Sequence, residues 1–153
     1  MQVDRLKRYK DKLELIDKRV DELIEWKWDF LLDEKSKLAS YKAFQEIVEA
    51  SMDIIAMLIK DEDLVPKDDY SNIDIIEKNG LLKKELCPAL RDMNGLRNRV
   101  IHEYNGLSDN IALDSIEELI PKIRELVECI ETWLKETNLK GWKRSFHSSR
   151  TRY

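Results

Sequence analysis

The 153-residue sequence is poor in residues that break helices, with four glycines and three prolines. A turn-rich β-sandwich needs many more of both, so that architecture is disfavoured. Cys87 and Cys129 form no CxxC pair and lie in apolar contexts. Buried free thiols are expected there in preference to a disulfide. Only His102 and His147 are available as imidazole ligands, so a zinc site is disfavoured and neither metal nor cofactor is expected. The absence of any glycine-rich phosphate loop argues against the common nucleotide-binding enzymes. The longest apolar run, Ile54 to Ile59, is far too short to span a bilayer. Met1 to Arg5 carries no apolar leader character, and a cytoplasmic protein that does not enter membranes is expected.

What is present is charge on an apolar framework. Charged residues make up 38% and hydrophobic residues 42%, which suits a soluble folded chain the size of one domain. The net charge of −4 is uneven. Residues 137–153 hold Lys140, Lys143, Arg144, Arg150 and Arg152 and no acid, which leaves −9 on the first 136. The expected organisation is a helical domain over 1–137 and a basic, flexible tail over 138–153. That tail has three open roles: binding RNA, contacting a partner, or neither.

Four strong helical patterns follow. Leu6, Tyr9, Leu13, Ile16, Val20 and Leu23 alternate in steps of three and four, predicting an amphipathic helix over 4–28. A second helix, capped by Ser36 and running over 37–60, is apolar around much of its circumference and should be central. Ser71 caps a short helix over 72–78 that Asn79-Gly80 ends. The third long pattern spans 81–104, and Pro88 either kinks it or marks its true start. The last begins near Leu113 with a Ser115-x-x-Glu118 capping box, and Pro121 should bend it early. Its stripe of Ile116, Leu119, Ile123, Leu126, Ile130 and Trp133 ends by Glu136. The fold class is therefore all-α, an up-and-down bundle of four to five helices.

One segment does more than fill a core: Met93-Asn94-Gly95-Leu96-Arg97-Asn98-Arg99-Val100-Ile101-His102-Glu103-Tyr104. Arg97 and Tyr104, seven apart, should share a face with Met93 and Val100. A guanidinium beside that apolar seam needs a partner. Asn98 and His102, four apart, are within reach of each other, so Asn98 is a candidate to orient the imidazole. Arg97 and His102 are five apart, about 140° around an ideal helix. They converge on one ligand only if the helix frays near Asn105-Gly106 or a second chain completes the site. Taken singly, each residue also has an ordinary structural role: an ion-paired arginine, a histidine favoured by the helix C-terminus, a seam aromatic.

The spacing Arg97-x4-His102-x-Tyr104, with Asn98 directly after the arginine, resembles the signature of HEPN-domain toxins of the HepT-like family. These are partners of minimal nucleotidyltransferase (MNT) antitoxins. The resemblance extends to Tyr41 through Ala56, to Met93-x-Gly-x-Arg-Asn, and to the helix order over residues 4–136. It implies a HEPN bundle that forms a homodimer with two signature helices facing a shared cleft. It also implies a metal-independent endoribonuclease that leaves a 2′,3′-cyclic phosphate and a 5′-hydroxyl. Arg97 and His102 would be catalytic, and Asn98 would orient His102 or contact phosphate. Tyr104 would be the residue onto which the antitoxin transfers AMP. Arg99 is either a further substrate contact or a solvated arginine.

The residue types suit that chemistry. An imidazole, ordinarily titrating at about 6.5, serves as base or acid near neutrality. A guanidinium suits the charge that builds on a phosphorane. Two other readings are distinct in class: a non-catalytic helical module that binds a nucleotidyltransferase, and a structural dimer whose polar motif is a buried network.

Overall fold

The computed structural model describes the backbone of residues 1–150 and the side chains of residues 1–138. Of the basic tail expected over 138–153, the backbone through Arg150 continues the last helix, and the side chains beyond Asn138 and residues 151–153 lie outside the described residues. Five α-helices follow in order: α1 (Val3–Trp26), α2 (Glu34–Asp61), α3 (Asp69–Asn79), α4 (Cys87–His102) and α5 (Asp109–Arg150). Single 3-10 turns occupy Lys27–Asp29, Lys84–Leu86 and Tyr104–Gly106. No strand occurs among the described residues. The all-α bundle expected from the periodicities is the fold observed.

The predicted stripe of α1 is its buried face: Tyr9, Leu13, Ile16, Val20 and Leu23 all leave solvent. α2 is the central helix, with half of its 28 residues buried, among them Phe44, Ile47, Ile54, Ile55, Leu58 and Ile59. Each such side chain contributes roughly 1.5–3 kcal/mol by leaving water. A ladder of ion pairs sets the direction of α1 against α2. Arg5 meets Asp61 at 3.0 Å, Lys12 meets Asp53 at 3.0 Å, and Arg19 meets Glu46. As one number rises the other falls, so the helices are antiparallel. Tyr9 closes the far end by donating to Asp61 at 2.6 Å. Both cysteines are free; Cys87 is buried and Cys129 half-buried, and burial pushes both thiols up.

Four boundaries differ from the sequence reading. α2 is capped by Asp33, whose carboxylate accepts from the N–H groups of Lys35 and Ser36. Ser36, the expected cap, instead donates its hydroxyl to Asp33 at 2.8 Å. α3 starts at Asp69 because Asp68, not Ser71, is its cap, and Ser71 is the residue bonded to it. It ends as expected at Gly80, whose φ of 61° favours glycine. Pro88 marks the start of α4, where its missing N–H costs nothing, so residues 81–86 are not part of that helix. α5 begins at Asp109 behind Ser108, whose hydroxyl accepts from the Ile111 N–H at 3.5 Å. The Ser115-x-x-Glu118 pair lies inside the helix and caps nothing, and α5 continues through Pro121.

Candidate active site

α3 and α4 pack as antiparallel neighbours, fastened by two arginines of α4. Arg91 donates to Asp74 at 2.8 Å and to Glu77 at 3.3 Å. Further along the helix, Arg97 reaches Asp69 in the first turn of α3. Between them Gly95 admits Tyr70, whose hydroxyl sits 3.5 Å from where a β-carbon at residue 95 would lie.

Arg97 is the most constrained polar side chain of the motif. Its side chain is 14% exposed. Nη2 donates to Asn94 Oδ1 at 2.7 Å, Asp69 Oδ2 at 3.1 Å and Asn98 Oδ1 at 3.2 Å. Two N–H bonds thus serve three acceptors. Nε is buried with no acceptor, and Nη1 has none among the described residues. An unmet buried donor costs roughly 1–3 kcal/mol. Nε is closed off from solvent, so Nη1 is the donor of this fixed guanidinium left to receive an anionic oxygen.

Asn98 is therefore paired with Arg97, and no hydrogen bond joins it to His102 among the described residues. Of the two roles considered for Asn98, orienting the imidazole is not what the structure holds. His102 is the last residue of α4 and is exposed. α4 is helical through both Arg97 and His102, so fraying does not bring the two together within one chain.

Tyr104 does not continue the face of Arg97 as the seven-residue spacing suggested. The helix stops at His102, and Tyr104 opens a 3-10 turn that carries it to the start of α2. Its ring meets Tyr41 edge-on, with centroids 5.7 Å apart and planes at 84°. Its hydroxyl donates to Glu34 Oε1 at 3.3 Å. The Lys37 ammonium stands 5.5 Å from the Tyr104 ring centre and bridges Glu34 at 3.1 Å and Asp109 at 3.3 Å. Tyr41 donates to the other oxygen of Asp109 at 2.8 Å. The hydrogen bond to Glu34 holds Lys37 charged well above the usual lysine range, against the desolvation that opposes it. Burial, then the bond to Asp109, raises the Tyr41 phenol.

Five participants were not singled out in the sequence: Asp69, Asn94, Glu34, Lys37 and Asp109. Only Asn94 had a local signal, standing one helical turn before Arg97. Among the described residues no group of three His, Cys, Asp or Glu side chains is placed to hold a metal.

The family profile described as Ribonuclease HepT-like matches residues 9–130. The chain belongs to the HepT-like family. The matched span runs from α1 into α5 and takes in Asp69, Arg97, His102 and Tyr104, and it stops short of the basic tail. A relative in Archaeoglobus fulgidus, provisionally named an RNase, is 34% identical over 124 residues, covering 81% of this chain and 89% of its own. The protein of Shewanella oneidensis named mRNA nuclease HepT is 24% identical over 108 residues, covering 70% of this chain and 78% of its own. Among solved structures, a tri-AMPylated HEPN toxin of Shewanella oneidensis in complex with an MNT antitoxin superposes with a TM-score of 0.76. The overlap takes in 86% of this chain and 99% of that one at 18% identity, a likeness of fold.

Proposed function

We propose that this HepT-like chain is the toxin of a toxin–antitoxin pair and acts as a metal-independent endoribonuclease. The observation that carries this reading is the state of Arg97: three acceptors fix Nη2 while Nη1, which is not among the buried atoms, has no hydrogen bond among the described residues. Phosphate oxygens are the ligand such a group fits best. In the proposed reaction the ribose 2′-oxygen attacks the adjacent phosphorus and the 5′-oxygen departs, leaving a cyclic phosphate. Arg97 neutralises the phosphorane, and Asn98, bonded to Arg97, helps hold it in place. His102 supplies the proton chemistry, being exposed and carried by the same helix.

Because α4 keeps Arg97 and His102 about 140° apart, the working unit is a homodimer. In it Arg97 of one chain and His102 of the partner subunit address one phosphate. That imidazole takes the 2′-hydroxyl proton and then delivers a proton to the leaving 5′-oxygen. The antitoxin is a nucleotidyltransferase that silences the toxin by transferring AMP to Tyr104. The names of the relatives and of the superposed complex support this reading. The site of action is the cytoplasm, and no described helix is long and apolar enough to cross a membrane.

The test is cleavage of RNA in EDTA by the protein, its mass first verified as free of AMP, compared with His102→Ala. Cleavage by wild type alone, with cyclic-phosphate ends, is the expected result. Absence of cleavage by the unmodified protein across several RNAs would overturn the ribonuclease reading and leave a module that binds a nucleotidyltransferase.

A further inference from the structure

Lys37 is in an electrostatically awkward place. It is the fourth residue of α2, where the helix dipole disfavours a cation, and its side chain is only 16% exposed. What holds it there is the group around Tyr104: Glu34, Asp109 and the aromatic ring itself. Glu34, by contrast, belongs in the first turn of a helix, and its side chain is 67% exposed. Its Oε2 is tied to Lys37 at 3.1 Å, and its Oε1 accepts the Tyr104 hydroxyl at 3.3 Å. The tyrosine is fixed on its other side by the edge-on contact with Tyr41, which Asp109 anchors. A phenol oxygen is thus steadied beside a carboxylate whose free edge reaches water, with a cation over the ring. Nothing in ribonuclease chemistry calls for this arrangement.

The geometry points to Glu34 as the proton acceptor for the modification of Tyr104, with Lys37 as the residue that positions Glu34 and the ring. This rests on the reading that a nucleotidyltransferase adenylylates Tyr104 from ATP. In the step, the Tyr104 Oη–Pα bond forms while the bond from Pα to the oxygen bridging to the β-phosphate breaks. Pyrophosphate leaves with that electron pair. The phenol proton passes to Glu34 Oε1 and from there to water, which the exposure of Glu34 permits. A carboxylate is a far weaker base than a phenolate, so the proton moves only as the oxygen–phosphorus bond develops. Lys37 meanwhile offsets the charge gathering at the ring. The acceptor protein therefore brings part of the catalytic apparatus for its own inactivation.

The experiment is a single-turnover modification assay on the full chain, with saturating cognate nucleotidyltransferase and Mg-ATP, read as the mass of the Tyr104 peptide. Binding to the nucleotidyltransferase and thermal melting are measured in parallel. Glu34→Gln keeps the shape and should melt as wild type, bind normally and slow the saturated rate by on the order of 10²-fold, the low end for a positioned proton acceptor. Lys37→Met should slow it less, and Lys37→Arg should restore it. Glu34→Gln modified at the wild-type rate overturns the proposal and leaves Tyr104 as the target. Weakened binding with an unchanged saturated rate also overturns it, assigning Glu34 to docking. A wild-type chain that is not modified, or a Tyr104→Phe chain modified equally well, overturns the underlying reading and the proposal with it.

Discussion

Asp69 and Arg97 stand 28 residues apart in the sequence and 3.1 Å apart in the structure. Asp69 accepts one of the two Nη2 protons, and buried Asn94 and neighbouring Asn98 compete for the same nitrogen. The first turn of α3 thereby fixes the direction in which Arg97 offers its remaining donors. That relationship makes α3 part of the site although it carries no residue of the motif.

Removing the acceptor should disturb turnover more than binding. For Asp69→Ala, kcat for RNA cleavage is expected to fall about tenfold, equivalent to roughly 1.4 kcal/mol of transition-state stabilisation, with KM little changed. Asp69→Glu should recover part of the loss. Steady-state cleavage of a short RNA separates the two constants. A change confined to KM would mean that Asp69 merely competes with phosphate.

Arg97→Lys is expected to behave almost as badly as Arg97→Ala. An ammonium has no planar fork, so it does not engage Asp69, Asn94 and Asn98 on one side while keeping donors for phosphate on the other. Loss of about 10²–10³-fold in kcat is the expected range for a missing oxyanion donor. Cleavage rates of both variants against wild type check it.

Two tyrosines should make the fold sensitive to alkali. Burial raises the phenols of Tyr9 and Tyr41 above the ordinary value of 10.0, reinforced by Asp61 and Asp109 respectively. A raised folded value favours the protonated form in the native state. The corresponding stability is complete below about pH 10 and is lost as the pH climbs toward the folded values. Denaturation midpoints from pH 8 to 11 should drop above pH 10, and the double variant Tyr9→Phe/Tyr41→Phe should flatten that drop.

The core of α2 should tolerate truncation poorly. Leu58 is fully buried among apolar neighbours, so Leu58→Ala is expected to cost about 2–5 kcal/mol. Chemical denaturation gives the value directly. The equivalent change at Leu32, which is 84% exposed, should be nearly silent.

The helices were legible because their signal is local. The stripes of α1 and α5 recur at the helical period, and their residues enter the core except at the ends, where Leu6 and Trp133 are only partly buried against it. Helix starts were less legible because several residue types compete for a cap. Asp33 and Asp68 each took the position that a serine three residues later was expected to hold. A carboxylate accepts two N–H bonds where a hydroxyl oxygen accepts one less strongly, and each serine then bonded to the aspartate.

By itself the sequence determined the all-α class, the central place of α2 and the Arg97–His102–Tyr104 motif, since periodicity and spacing are properties of a few consecutive turns. Only the tertiary structure decided what those motif residues touch. Arg97 is held from α3, 28 residues away, and Tyr104 is turned to the start of α2, 70 residues away. The physical reason is that α4 ends at His102. Beyond a helix end no period carries a side chain forward, and its direction is set by whichever packed neighbour offers a ring, a cation and an acceptor.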